Sequence, residues 1–175
     1  GKSTKVDSKA GQGRIKIVKG YNSLKAMEIP DVQDQPGAEE AVLDVLRRRG
    51  VNKLFGIDSV NSITYLVNGK DEDIKRAVSD LNGYWHDERV RRFGKDGEEA
   101  VHVSHQPISL VVGVGEDLTR NEWKCFQGVV DKYDPKLFGG WHKRIVSVYA
   151  AIHSMDRTDF NNMLAEVHDK LVLCQ

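Results

Sequence analysis

Charge of one sign is the first thing this sequence lacks: over 175 residues, 26 Lys and Arg stand against 26 Asp and Glu. No global field draws the chain toward nucleic acid or an anionic membrane, so any such surface must be local. Cysteine is scarce. Cys125 and Cys174 are the only two, too few for a disulfide framework and in keeping with a reducing compartment. Long apolar runs are missing as well, the longest being residues 108–114 and 146–152. Both fall far short of the roughly 20 residues a bilayer-spanning helix needs, so no contact with a membrane is expected. The start has no apolar stretch of the kind a secretory signal carries, and Gly1 in place of Met leads us to expect a piece of a larger chain.

What is present is the composition of a soluble globular protein, with 39% hydrophobic and 30% charged residues and a mean hydropathy of -0.48. The length suits one domain with its own core. A polar, flexible lead-in is expected over residues 1–13 and a single domain over residues 14–175. Residues 14–18 alternate like a half-buried strand, Gly20-Tyr21-Asn22 punctuates it, and residues 24–29 are expected to return as its hairpin partner. Ala38, Ala41, Val42, Val45 and Leu46 repeat at helical spacing between Pro36-Gly37 and Gly50. Residues 53–57 and 62–67 read as a hairpin, Asn68-Gly69 as a turn, and Ile74, Ala77, Val78 and Leu81 as the apolar face of a helix from Asp71.

Residues 89–99 read as a charged loop, and residues 101–105 and 108–114 as strands on either side of Pro107. Thr119 with Glu122 is a capping box, opening a helix that Asp134-Pro135 stops. Ile145, Val148, Tyr149 and Ile152 are expected to line a further helix, and Phe160, Met163, Leu164, Val167 and Leu171 the last one, from Thr158. The class is α+β, an antiparallel sheet packed against helices. No internal repeat is visible.

Few residues point to chemistry. Gly1-Lys2-Ser3-Thr4 has neither the earlier glycine nor the preceding strand of a phosphate-binding loop, and Gly113-Val114-Gly115 lacks the third glycine of a dinucleotide fingerprint. His102 and His105 would point to opposite faces of a strand, with no acid or cysteine at structural-metal spacing, so neither metal nor cofactor is expected. No nucleophile elbow occurs, and the domain is expected not to be catalytic by itself. Arg47-Arg48-Arg49 complement the negative end of their helix, whereas Arg89, Arg91, Arg92 and Lys95 beside Phe93 are candidate RNA contacts. Tyr84 and Trp85, at a helix end, either pack in the core or stack on a base.

The segment Leu66-Val67-Asn68-Gly69-Lys70-Asp71-Glu72-Asp73-Ile74, followed by Tyr84-Trp85, resembles the cap-binding domain of the second basic polymerase subunit of influenza-like orthomyxoviruses, as in a distant genus such as the thogotoviruses. Residues 15–21, Phe138-Gly139-Gly140-Trp141 and residues 145–156 are similar to further stretches of that domain. The resemblance implies a cap-binding-like fold and capture of host mRNA caps for cap-snatching transcription. Its site would hold 7-methylguanosine between two aromatic rings with an acid on the guanine edge. Carried over, the helix-end aromatic falls on Tyr84 or Trp85, the acid on Asn22, the second aromatic on Leu24 and a histidine on Val18. An amide and a leucine supply neither charge nor π face, which implies a degenerate cap site. Implied partners are other viral polymerase subunits and capped host mRNA or viral RNA, with the isolated domain a monomer. The implied location is the host nucleus and the virion. The alternatives are a purely structural module of that polymerase and a nucleic-acid-binding domain using residues 89–95.

Overall fold

The computed structural model describes residues 14–30, 36–59, 62–93, 101–144, 146–153 and 155–173. The lead-in expected over 1–13 lies outside them. The chain divides into two compact units, Ser23–Pro107 and Gly1–Asn22 with Ile108–Gln175.

The unit Ser23–Pro107 takes the second half of strand β1 (Ile15–Pro30), then α1 (Ala38–Arg48), β2 (Asn52–Asp58), β3 (Ser62–Asn68), α2 (Asp71–Phe93) and the short β4 (His102–Val103). Strand β1 pairs antiparallel with β3, Lys25 opposite Val67 through Pro30 opposite Ser62, and with β4, Met27 opposite Val103. β3 also pairs antiparallel with β2. The order is therefore β2-β3-β1-β4, the split βαββαβ arrangement of ferredoxin-like folds. Both helices bury the apolar stripe the sequence gives them, Val42 and Leu46 from α1 and Ile74, Ala77 and Leu81 from α2, in one core with Met27, Ile29, Tyr65 and Val67. Gly50 ends α1 at a φ of 70°, with Gly50 N–H donating to the Arg47 carbonyl and Val51 N–H to the Leu46 carbonyl. This left-handed turn is the reason a glycine closes the helix.

The other unit runs β5 (Ile108–Gly115), α3 (Arg120–Asp131), β6 (Leu137–Lys143), β7 (Ser147–His153), α4 (Arg157–His168) and a π-helical turn (Asp169–Leu173). The first half of β1 joins it, in the order β1-β5-β7-β6. Phe126, Val129 and Val130 of α3 and Phe160, Met163 and Val167 of α4 meet Val111, Val148, Ala150 and Ile152 of the sheet in its core. Counted from β5, the same βαββαβ order recurs, its fourth strand supplied from the opposite end of the sequence. The chain thus repeats a topology without repeating a sequence.

Three expectations are corrected. The hairpin expected over 14–29 is one strand, β1. Gly20 makes no turn there; it leaves room for Leu164 of α4, since a Cβ at that position would lie 2.3 Å from Leu164 Cδ1. The loop expected from Arg89 is helical through Phe93. The helix expected over 145–152 is the strand β7: Val148, Ala150 and Ile152 reach the core at a spacing of two, and Tyr149 and Ala151 between them are buried too. A strand buried on both faces looks apolar throughout, which a short helix also does.

Candidate functional site

In the unit Ser23–Pro107, the start of α2 faces β4 and the middle of β1 across a cleft of about 410 Å³. Asp71, Ile74, Lys75 and Val78 line one side of it, spaced as one face of the helix. Val103 of β4 and the next two residues, Ser104 and His105, form the other side, with Lys25 from β1. Ser104 fixes that wall, because its N–H donates to the Ala26 carbonyl at 2.8 Å and its Oγ accepts from the Ala26 N–H at 2.9 Å. Lys25 Nζ donates to the His105 carbonyl at 3.3 Å. Ile74, Val78 and Val103 give an apolar floor, and Lys25, Lys75, Asp71 and His105 a charged and polar rim. Among the described residues, Lys25, Lys75 and Asp71 form no ion pair. A small concave site with an apolar floor and a few convergent polar groups suits an organic ion more than a macromolecule.

His105, considered from the sequence only as a metal ligand, lines the cleft; the residues singled out for cap or RNA binding fall elsewhere. Asn22 accepts a hydrogen bond from Ser109 Oγ at 2.8 Å, satisfying a buried hydroxyl. Leu24 is 1% exposed. Tyr84 is 37% exposed on α2, where Trp85, Arg89, Arg91 and Arg92 follow. Lys95 lies outside the described residues. Of the other basic run, Arg47 and Arg48 pair with Asp44, and Arg49 holds Asp80 with two hydrogen bonds of 2.6 and 3.0 Å. Sequence reasoning missed the cleft, whose polar residues come from positions 25, 71, 75, 104 and 105. The one local signal was Asp71 with Lys75 at i, i+4 beside the apolar positions 74 and 78.

Solved structures share this fold. The aspartate kinase of Clostridium acetobutylicum superposes with a TM-score of 0.66 at 13% identity, over 95% of this chain and 36% of that one. The ligand-free regulatory subunit of aspartate kinase from Thermus thermophilus gives 0.61 at 17% identity, over 89% of this chain and 97% of that one. Escherichia coli aspartokinase III in complex with lysine and aspartate gives 0.60 at 11%, over 94% and 34%. The chain has the fold of an aspartate kinase regulatory subunit. It spans about a third of the whole kinases and nearly all of the separate subunit. No protein-family model and no curated protein matches the sequence.

This likeness overturns the viral resemblance and what it implied. The neighbours are aspartate kinases and their regulatory subunits, so the cap-binding-like fold and cap capture fall. With them go viral polymerase subunits and capped or viral RNA as partners, and the host nucleus and virion as location. The α+β class with an antiparallel sheet packed against helices stands. The misleading segment at residues 66–74 is β3, a glycine turn and the first turn of α2. A strand, Asn-Gly and three acids on a helix N-terminus satisfy general turn and dipole rules, and unrelated folds satisfy them alike.

Proposed function

We propose that this chain is a non-catalytic regulatory module that binds an amino acid and acts on a kinase catalytic part. The observation that carries the reading is the doubled βαββαβ topology in which β1 serves both units, superposing on nearly the whole Thermus regulatory subunit. The lysine and aspartate bound by the Escherichia coli enzyme support the ligand class. So does the cleft at α2, which offers charges of both signs around an apolar floor.

The test is a thermal-shift and calorimetry series of the purified chain with the proteinogenic amino acids. At least one should bind saturably and raise the melting temperature, since a ligand at 100 times its Kd stabilises by about 2.7 kcal/mol. A chain indifferent to all of them overturns the reading.

A further inference from the structure

We propose that the cleft at the start of α2 takes an amino acid of net negative charge, with aspartate or glutamate as its type. The proposal rests on the amino-acid-binding reading above and adds which amino acid and where. Two cations and one carboxylate, Lys25, Lys75 and Asp71, converge on the cleft. A dicarboxylic amino acid carries the mirror set, two carboxylates and one ammonium. Its ammonium meets Asp71, one carboxylate meets Lys75 a helical turn further along the same face, and the other meets Lys25 across the cleft. The intervening methylenes lie on Ile74, Val78 and Val103.

The remaining groups are prepared for such a ligand. Lys25 Nζ uses one proton on the His105 carbonyl and keeps two for a carboxylate. The Ser104 hydroxyl accepts from the Ala26 N–H and keeps its own proton to donate. A basic amino acid would bring a second cation between two lysines, and a neutral one would leave a lysine unmatched; like-charge contacts disfavour the first. The cleft volume of about 410 Å³ is within the ~300–1,000 Å³ of small-molecule sites and leaves room for bridging water.

The experiment is calorimetry of the chain with L-glutamate, L-aspartate, L-glutamine, L-lysine and glutarate. It is repeated on Lys25→Gln, Lys75→Gln and Asp71→Asn, with each variant's unliganded melting temperature recorded to show that it folds. Glutamate or aspartate should bind at least about tenfold more tightly than glutamine or lysine, and either lysine variant should weaken it about tenfold. Glutarate, without the ammonium, should bind more weakly than glutamate to the unmodified chain, and Asp71→Asn should erase that difference. Glutamine or lysine binding while the dicarboxylic amino acids do not overturns this assignment and leaves the regulatory reading standing. Glutamate affinity unchanged in both lysine variants does the same. Glutarate binding as well as glutamate overturns the ammonium contact and with it the proposal. Binding of no amino acid overturns both readings.

Discussion

Gly115 stands so close to Arg14 that a Cβ on it would lie 2.0 Å from the Arg14 carbonyl oxygen and 2.7 Å from the carbonyl carbon. This is where the residue before β1 meets the end of β5, and the Glu116 N–H donates to that same carbonyl at 3.2 Å. Backbone cannot step aside as a side chain can. Gly115→Ala should therefore cost about 3 kcal/mol, the upper range for forcing atoms into a packed site. Gly128, in α3, has nothing within 4 Å of its Cβ position, and Gly128→Ala should stabilise by about 0.5–1 kcal/mol through helix propensity. Urea unfolding of both variants checks the pair, and equal effects would refute the steric argument.

The capping box of α3 is a second local test. Thr119 Oγ1 accepts from the Asn121 N–H at 3.3 Å, and the Glu122 carboxylate accepts from the Thr119 N–H at 2.8 Å and from the Thr119 hydroxyl. Burial pushes the Glu122 pKa up, but the hydrogen bonds from Thr119 and backbone, with Arg14 beside it, outweigh burial and hold it below the usual carboxylate range. A depressed pKa gives stability that is present above the unfolded value, about 4.3, and lost as pH falls through the folded one. Thr119→Ala should cost about 1 kcal/mol at pH 7. The deficit should shrink in acid, which unfolding curves at pH 7 and pH 3 would show.

That box was legible because every part of it lies within four residues. So were the Gly50 helix end, the apolar stripes of α1 and α2, and the antiparallel pairing of residues 53–57 with 62–67. What could not be read is what distance in sequence hides. Strand β1 joins strands 80 or more residues away at its far end, as Asn22 does Ser109, so nothing local distinguishes one long strand from a hairpin around Gly20. The cleft has the same difficulty: Lys25 and His105 meet through a hydrogen bond spanning 80 positions. The Arg49 side chain belongs to a local basic run yet finds its acid on another helix.

Tyr65 supplies a test in alkali. Its ring is wholly buried, and its hydroxyl donates to Glu39 Oε1 at 3.1 Å. Burial, then the hydrogen bond and charge of Glu39, push its pKa well above the ordinary phenol value of 10. The folded chain therefore keeps a proton that the unfolded chain loses near pH 10, and stability falls as pH rises from there, by up to about 1.4 kcal/mol per pH unit. Tyr65→Phe removes this liability along with the hydrogen bond. It should be less stable than the unmodified chain at pH 7, by about 1 kcal/mol, and the gap should narrow above pH 10. Denaturation at pH 8, 10 and 11 measures it; a constant gap would mean that Tyr65 titrates normally.

Arg49 and Asp80 give the acid counterpart in the same unit. Arg49 is the residue after α1, and its guanidinium reaches Asp80 on α2 through Nε at 2.6 Å and a second nitrogen at 3.0 Å. Hydrogen bonding to Arg49 holds the Asp80 carboxyl below its usual range. By the same linkage, the pair contributes above the ordinary carboxylate value near 4 and is lost as pH falls through the folded value. The fork geometry, two parallel N–H donors on one carboxylate, is open to arginine alone. A double-mutant cycle of Arg49→Met and Asp80→Asn should therefore give a favourable coupling at pH 7 that weakens with added salt and vanishes once Asp80 is protonated. Arg49→Lys should recover only part of it. Coupling of equal size at pH 7 and pH 2 would show that the two helices are tied at this point by packing and not by charge.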